Sequence, residues 1–195
     1  MNMAKLQNEI HKNAVEHGWW DEPRTFGDVI ALCHSELSEA LEAYLNGETM
    51  VWKGEAGKPE GVAVELADCI IRILDWAGHE DVDMIGIANQ ERNFLYLIRK
   101  TMSDEWWNKP VNFIEVVIFC HTCLSHSLES YRAGEPMCFV DDENDALQGV
   151  AIGMAHCIIR IQNWAKHNDV DIWKIVRLKH EYNKSRPYRH GGKAL

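Results

Sequence analysis

Glu36–Glu39 and Glu65–Asp68 are two acidic pairs, each spaced i, i+3, set into two of the most apolar stretches of a 195-residue chain. On a helix of 3.6 residues per turn, Val29, Leu32, Cys33, Glu36, Glu39, Ala40 and Ala43 fall within about 120° of arc. Glu36 therefore belongs in the middle of a core-facing stripe, whereas Glu42 points to the polar side. The second stretch, Val62 to Leu74, is apolar almost all round, and Glu65 and Asp68 interrupt it on one face. Burying an unpaired carboxylate costs several kcal/mol. Four that converge also repel, by roughly 4 kcal/mol per close pair at an effective dielectric near 20. A doubly charged cation removes both costs, and an all-oxygen donor set selects a hard one, Mg²⁺ or Mn²⁺, over zinc. One ExxE on an exposed helix needs no such explanation; two pairs on apolar faces within 33 residues do.

A chain of this length buries about 70% of its unfolded surface, enough for a substantial core. The formal charge of −10 argues against a nucleic-acid polymer as partner, since no basic stripe is present to displace counterions. Without a leader-like segment or an apolar run approaching 18 residues, the expectation is a cytoplasmic protein with no membrane partner. The six cysteines (33, 69, 120, 123, 138 and 157) mostly follow helical apolar patterns and read as reduced, buried thiols.

The chain repeats itself. A shift of 87 carries Trp19-Trp20 to Trp106-Trp107, Pro23 to Pro110, Phe26 to Phe113, His34 to His121, Tyr44 to Tyr131 and Gly47-Glu48 to Gly134-Glu135. After one inserted residue, a shift of 88 carries Gly61-Val62-Ala63 to Gly149-Val150-Ala151 and Cys69 to Ile73 onto Cys157 to Ile161. The four acids do not survive: Glu36, Glu39, Glu65 and Asp68 become Cys123, His126, Gly153 and His156. Scaffold is kept and the hard-cation site is lost, so the second copy reads as a packing partner.

The elements that must hold these residues are helical. Periodicity predicts helices near 4–17, 25–46, 59–78, 83–102, 112–133, 145–167 and 171–184. Asp28 and Asp145 lie near starts, Pro59 at a first turn, and Gly47, Gly78 and Gly134 at ends. No segment alternates as a strand. The fold expected is an all-α helical bundle, an intramolecular pseudo-dimer of two repeats divided as 1–100 and 101–195, packed as one compact unit.

His17-Gly18-Trp19-Trp20, then residues 34–44 (HSELSEALEAY), then 58–73 (KPEGVAVELADCIIRI), resemble the MazG-like, all-α nucleoside triphosphate pyrophosphohydrolases, whose signature is ExxE, a spacer and ExxD. The segment 179–193 (KHEYNKSRPYRHGGK) is similar to the tail of single-copy members. The likeness is strong in 12–83 and 171–193 and weak elsewhere. The tail follows the second copy and is missing after Asp83, so the two copies divide the family's parts between them.

That resemblance implies cleavage between the α- and β-phosphates of a nucleoside triphosphate, with a pyrimidine deoxynucleotide as the family-level expectation. It makes Glu36, Glu39, Glu65 and Asp68 the Mg²⁺ ligands. Glu39, at the edge of the apolar arc where water can reach, is the choice for general base. Some relatives carry an extra Glu directly before the first ExxE residue, where this chain has Ser35. Lys179, Asn183, Arg186 and His190 match the tail motif and should meet phosphates. Lys58, ahead of the third helix, and Arg72, one turn beyond Asp68, are further candidates, although Arg160 persists where the acids are gone. Trp19 or Trp20 would stack on a base, but their return as Trp106 and Trp107 favours a core role.

Three other readings compete. A phosphoribosyl-ATP pyrophosphohydrolase would use the same chemistry, and a non-catalytic nucleotide- or protein-binding relic would keep the fold without turnover. Cys123, His126 and His156 are donors suited to Zn²⁺, set against a relic core. Exposed apolar surface would pair two chains into a homodimer.

Overall fold

The computed structural model describes residues 3–101, 112–142 and 146–192. Trp106, Trp107, Pro110, Asp145 and Lys193 lie outside the described residues. The described chain is mostly helical and divides into two compact units: residues 1–82 with 170–195, and residues 83–169. The sequence reading differs here, since it assigns everything after residue 100 to the second repeat. The helix Ile172–Lys184 instead packs on the helix carrying Glu65 and Asp68, and that contact draws it into the first unit.

The first unit contains α1 (Met3–Glu16), α2 (Phe26–Leu45), α3 (Val62–His79), α7 (Ile172–Lys184) and the short α8 (Arg189–Gly192). Thr25 and Asp28 close a capping box at the start of α2: Asp28 N donates to Thr25 Oγ1 (3.2 Å) and Thr25 N donates to Asp28 Oδ2 (2.8 Å). The helix stops at Asn46 and Gly47, the latter at φ 72°. Helix α3 packs against α1, α2 and α7 and is buried nearly all round, as its composition demands. Leu37, Leu66, Ile70, Ile73 and Leu74 fill the core between these helices.

The second unit repeats the first three helices as α4 (Met84–Thr101), α5 (Phe113–Arg132) and α6 (Val150–His167). Helices α4 and α5 both pack on α6, as α1 and α2 do on α3. Matching positions take matching conformations. Asp81 and Asp169 sit at φ 56° and 54° just past α3 and α6. Phe26 meets Trp76 at 4.9 Å between ring centres, and Phe113 meets Trp164 at 4.8 Å.

Two expectations give way. Pro59 is not in a helix: Pro59–Glu60 (β2) pairs antiparallel with Trp52–Lys53 (β1), and Phe139–Asp141 (β3) pairs with Ala146–Gln148 (β4) in the second unit. Each hairpin delays the following helix to Val62 or Val150, with Gly61 (φ 114°) or Gly149 (φ 115°) at the junction. Ribbons of two or three residues are too short to show an alternating pattern. Gly78 stands in the last turn of α3, as expected, and His11 of α1 fills the space where its Cβ would be.

Candidate metal centre

Helix α2 brings Glu36 and helix α3 brings Glu65 and Asp68 to one point. One carboxylate oxygen from each lies within 4.8 Å of the others. Glu36 and Glu65 are only 8% and 9% exposed. Burial pushes both carboxyls up to about 7, and the nearby Asp68 charge adds to each shift. Asp68 is itself raised by burial, against the pull of Lys179. Three buried carboxylates that resist joint ionisation are a donor set able to hold one metal ion, and oxygen-only donors suit a hard cation. Glu39 stands outside this trio, exposed and accepting a 3.1 Å hydrogen bond from Ser35 Oγ, though its charge is felt by both Glu36 and Glu65.

The trio opens into a cavity of about 280 Å³ whose lining comes entirely from the first unit. Basic groups share it. Lys179 of α7, 3% exposed, places Nζ 2.6 Å from Asp68 Oδ2. Arg72 donates from Nε and Nη2 to Glu36 Oε1, both at 3.1 Å. Lys58 pairs with Glu60 at 2.8 Å on the rim. Arg186 lines the cavity without an ion-pair partner among the described residues. Burial works against the Lys179 charge, but the adjoining Asp68 carboxylate outweighs it and raises the ammonium's pKa.

Asn183, His190 and Trp19 also line the cavity, with Trp19 edge-on to His190 at 4.9 Å. Trp20 does not. It stacks on His79 (3.8 Å, 13°) and donates from Nε1 to Asp75 Oδ1 (2.9 Å), fastening the end of α1 to α3. Eleven of the twelve residues singled out from sequence thus meet in one space, and Trp20 is the exception.

Asp75 and His180 are among the lining residues that sequence reasoning missed. Asp75 lies two turns beyond Asp68 on the same face of α3 and accepts hydrogen bonds from Trp20 and His11; its interruption of an apolar run was a usable signal. His180, 1% exposed, carries an Nε2 without a hydrogen-bond partner among the described residues, and Asn183 Oδ1 is likewise buried and unpartnered there. Nothing in the residue pattern marks His180 as special, because its placement comes from how α7 docks.

The second unit holds no such centre among its described residues. Cys123 is buried with Arg160 hydrogen-bonded to it, His126 is exposed, and His156 donates to the buried Glu91 at 2.7 Å. These three do not gather as a ligand set. At the position matching Glu65, a Cβ on Gly153 would strike Cys123 O and Ser127 Oγ, so α5 and α6 close over the space that the acids occupy in the first unit.

Comparison of the chain with protein-family models, with curated proteins and with solved structures finds no match in any of the three.

Proposed function

We propose that the first unit is a Mg²⁺-dependent nucleoside triphosphate pyrophosphohydrolase of the MazG-like type, releasing pyrophosphate and a nucleoside monophosphate. The observation that carries this reading is the meeting of three buried carboxylates with Lys179, Arg72, Lys58 and Arg186 in one cavity. Carboxylates alone suit a cation and basic groups alone suit an anion; both together suit a metal-bound polyphosphate.

In this reading Glu36, Glu65 and Asp68 hold the metal. When bound, Mg²⁺ supplies charge neutralisation for the leaving pyrophosphate and acidifies a bound water. Glu39, kept in place by Ser35 and open to solvent, takes the proton of the attacking water. Lys179, Arg186 and Lys58 face phosphate oxygens, and Trp19 with His190 borders the nucleoside. The second unit, its α5 and α6 closed around Gly153, has no chemistry of its own in this reading.

Pyrophosphate release from a panel of ribo- and deoxynucleoside triphosphates with Mg²⁺, beside Glu36→Ala, tests the reading. Metal-dependent turnover that vanishes in the variant supports it. A folded protein that turns over no triphosphate refutes it.

A further inference from the structure

Two of the three carboxylates in the trio already carry a cation belonging to the chain. Asp68 Oδ2 is 2.6 Å from Lys179 Nζ, and Glu36 Oε1 accepts both the Nε and Nη2 protons of Arg72. The Lys179 side chain is 4% exposed and that of Arg72 26%. A divalent ion coordinated by Glu36, Glu65 and Asp68 must share or take the oxygens on which these groups rest. An ammonium pushed off its carboxylate in so dry a place is left uncompensated, which is strongly unfavourable unless another anion receives it. Among the described residues Lys179 makes one ion pair, with Asp68. The oxygens of a polyphosphate would supply the missing anion.

We infer that Lys179, supported by Arg72, is a built-in competitor of the metal. Divalent cation alone binds weakly because it must displace the lysine. Cation and polyphosphate together bind well, because the metal takes the carboxylates as Lys179 turns to phosphate. The consequence is coupled binding, with each ligand raising affinity for the other by the same factor. This inference rests on reading the cavity as a metal–triphosphate site. Lys179 is then a positioning residue that guards the centre against cation without substrate, beyond any part it plays in phosphate contact.

The test is Mn²⁺ binding to chelator-treated, nucleotide-free protein, followed by electron paramagnetic resonance. Lys179→Gln should bind Mn²⁺ more tightly than wild type by about 5- to 150-fold, the usual span of such coupling. It should also lose affinity for an α,β-imido triphosphate analogue in the presence of Mn²⁺. Lys179→Arg, which keeps the charge, should stay near wild type in Mn²⁺ binding. If Lys179→Gln binds Mn²⁺ no tighter than wild type, the inference is overturned. Should circular dichroism show that Lys179→Gln does not fold, Arg72→Gln gives the same reading through Glu36. Tighter Mn²⁺ binding there supports the competition, and unchanged or weaker binding refutes it. No turnover enters these titrations. A failed titration beside active hydrolysis sinks only this inference, and a successful one beside no hydrolysis sinks only the hydrolase.

Discussion

Gly18 and Tyr188 occupy one space: the Tyr188 ring lies where a Cβ on residue 18 would be, and Gly18 has φ 76°. The same loop accepts Arg189 Nε at Gly18 O (3.1 Å), pairs Arg189 with Glu22 (3.2 Å), and receives the Tyr188 hydroxyl at Asp21. His17 Nε2 meets Arg186 O at 3.0 Å. The segment after α1 and residues 186–190 are thus one structural piece, and it carries Arg186 and His190 to the cavity. Gly18→Ala should cost about 1–3 kcal/mol through backbone strain and overlap with the ring. For a chain of this size that is a Tm drop of about 2–12 °C. The KM for triphosphate should rise with it, and limited proteolysis should cut near the C-terminus sooner. A variant with wild-type Tm and proteolysis would show that this clasp contributes nothing.

Raised carboxyl pKa values make a signed prediction. Glu36 and Glu65 have ordinary values of 4.5 and folded values of about 7. Between those limits the folded protein holds more protons than the unfolded one, so the stability they contribute is full below 4.5 and is lost as pH rises through about 7. Chelator-treated protein should therefore show a falling Tm from pH 5 to pH 8. Metal binding needs the deprotonated acids, so the Tm gain on adding Mg²⁺ should grow over the same interval. Thermal scans at four pH values, with and without Mg²⁺, decide this; a gain that is flat or shrinks with pH refutes it.

Glu65 is the trio member with no ion pair of its own among the described residues, which singles it out for substitution. At pH 8 under chelation, Glu65→Gln removes one repelling buried charge and should raise Tm, by about 2–4 °C for each kcal/mol relieved. The same change should abolish the Mg²⁺-dependent gain. A Tm below wild type under chelation would mean that the carboxylate stabilises the fold through contacts instead of burdening it.

The acid trio, the helices and the duplication were legible because each leaves a periodic mark. Glu36 lies inside an apolar arc, Glu65 and Asp68 interrupt an apolar helix, and Gly61 recurs as Gly149. The hairpins left no mark, being only two or three residues per strand. Lys179 and Arg186 stand out only through a resemblance to a family's tail motif, and nothing local says which helices that segment joins. Its docking on α3 and α1 is a long-range packing outcome. The role of Trp20 was hidden for a similar reason: an indole between His11, His79 and Asp75 is fixed by three distant residues, not by its neighbours in sequence.

His180 Nε2 and Asn183 Oδ1 are buried polar atoms with no partner among the described residues, and both residues line the cavity. Burial lowers the His180 pKa, which favours the neutral ring. A substrate group that hydrogen-bonds His180 would recover the cost of leaving it unpaired. His180→Leu should keep or raise Tm and leave metal binding alone, yet raise the KM for the preferred triphosphate by about 10-fold. Equal KM values in variant and wild type would place His180 outside the binding surface.

Gly153 tests whether the second unit has given up its cavity for packing. Its Cβ would meet Cys123 O, a backbone atom that cannot swing aside, as well as Ser127 Oγ. Glu65, at the matching position of the first unit, fits because α2 and α3 leave room for a carboxylate that opens into the cavity. Gly153→Ala adds the helix propensity of alanine, about 1 kcal/mol in its favour, against an overpacking cost of about 1–3 kcal/mol. The backbone clash should decide the sign, so Gly153→Ala should lower Tm, and Gly153→Glu should lower it further because the acid would be forced against the Cys123 carbonyl oxygen without a cation. Mg²⁺ should rescue neither variant. Stabilisation by alanine would mean that α5 and α6 can part at little cost, and Mg²⁺ rescue of Gly153→Glu would mean that the second unit still keeps a cation site open.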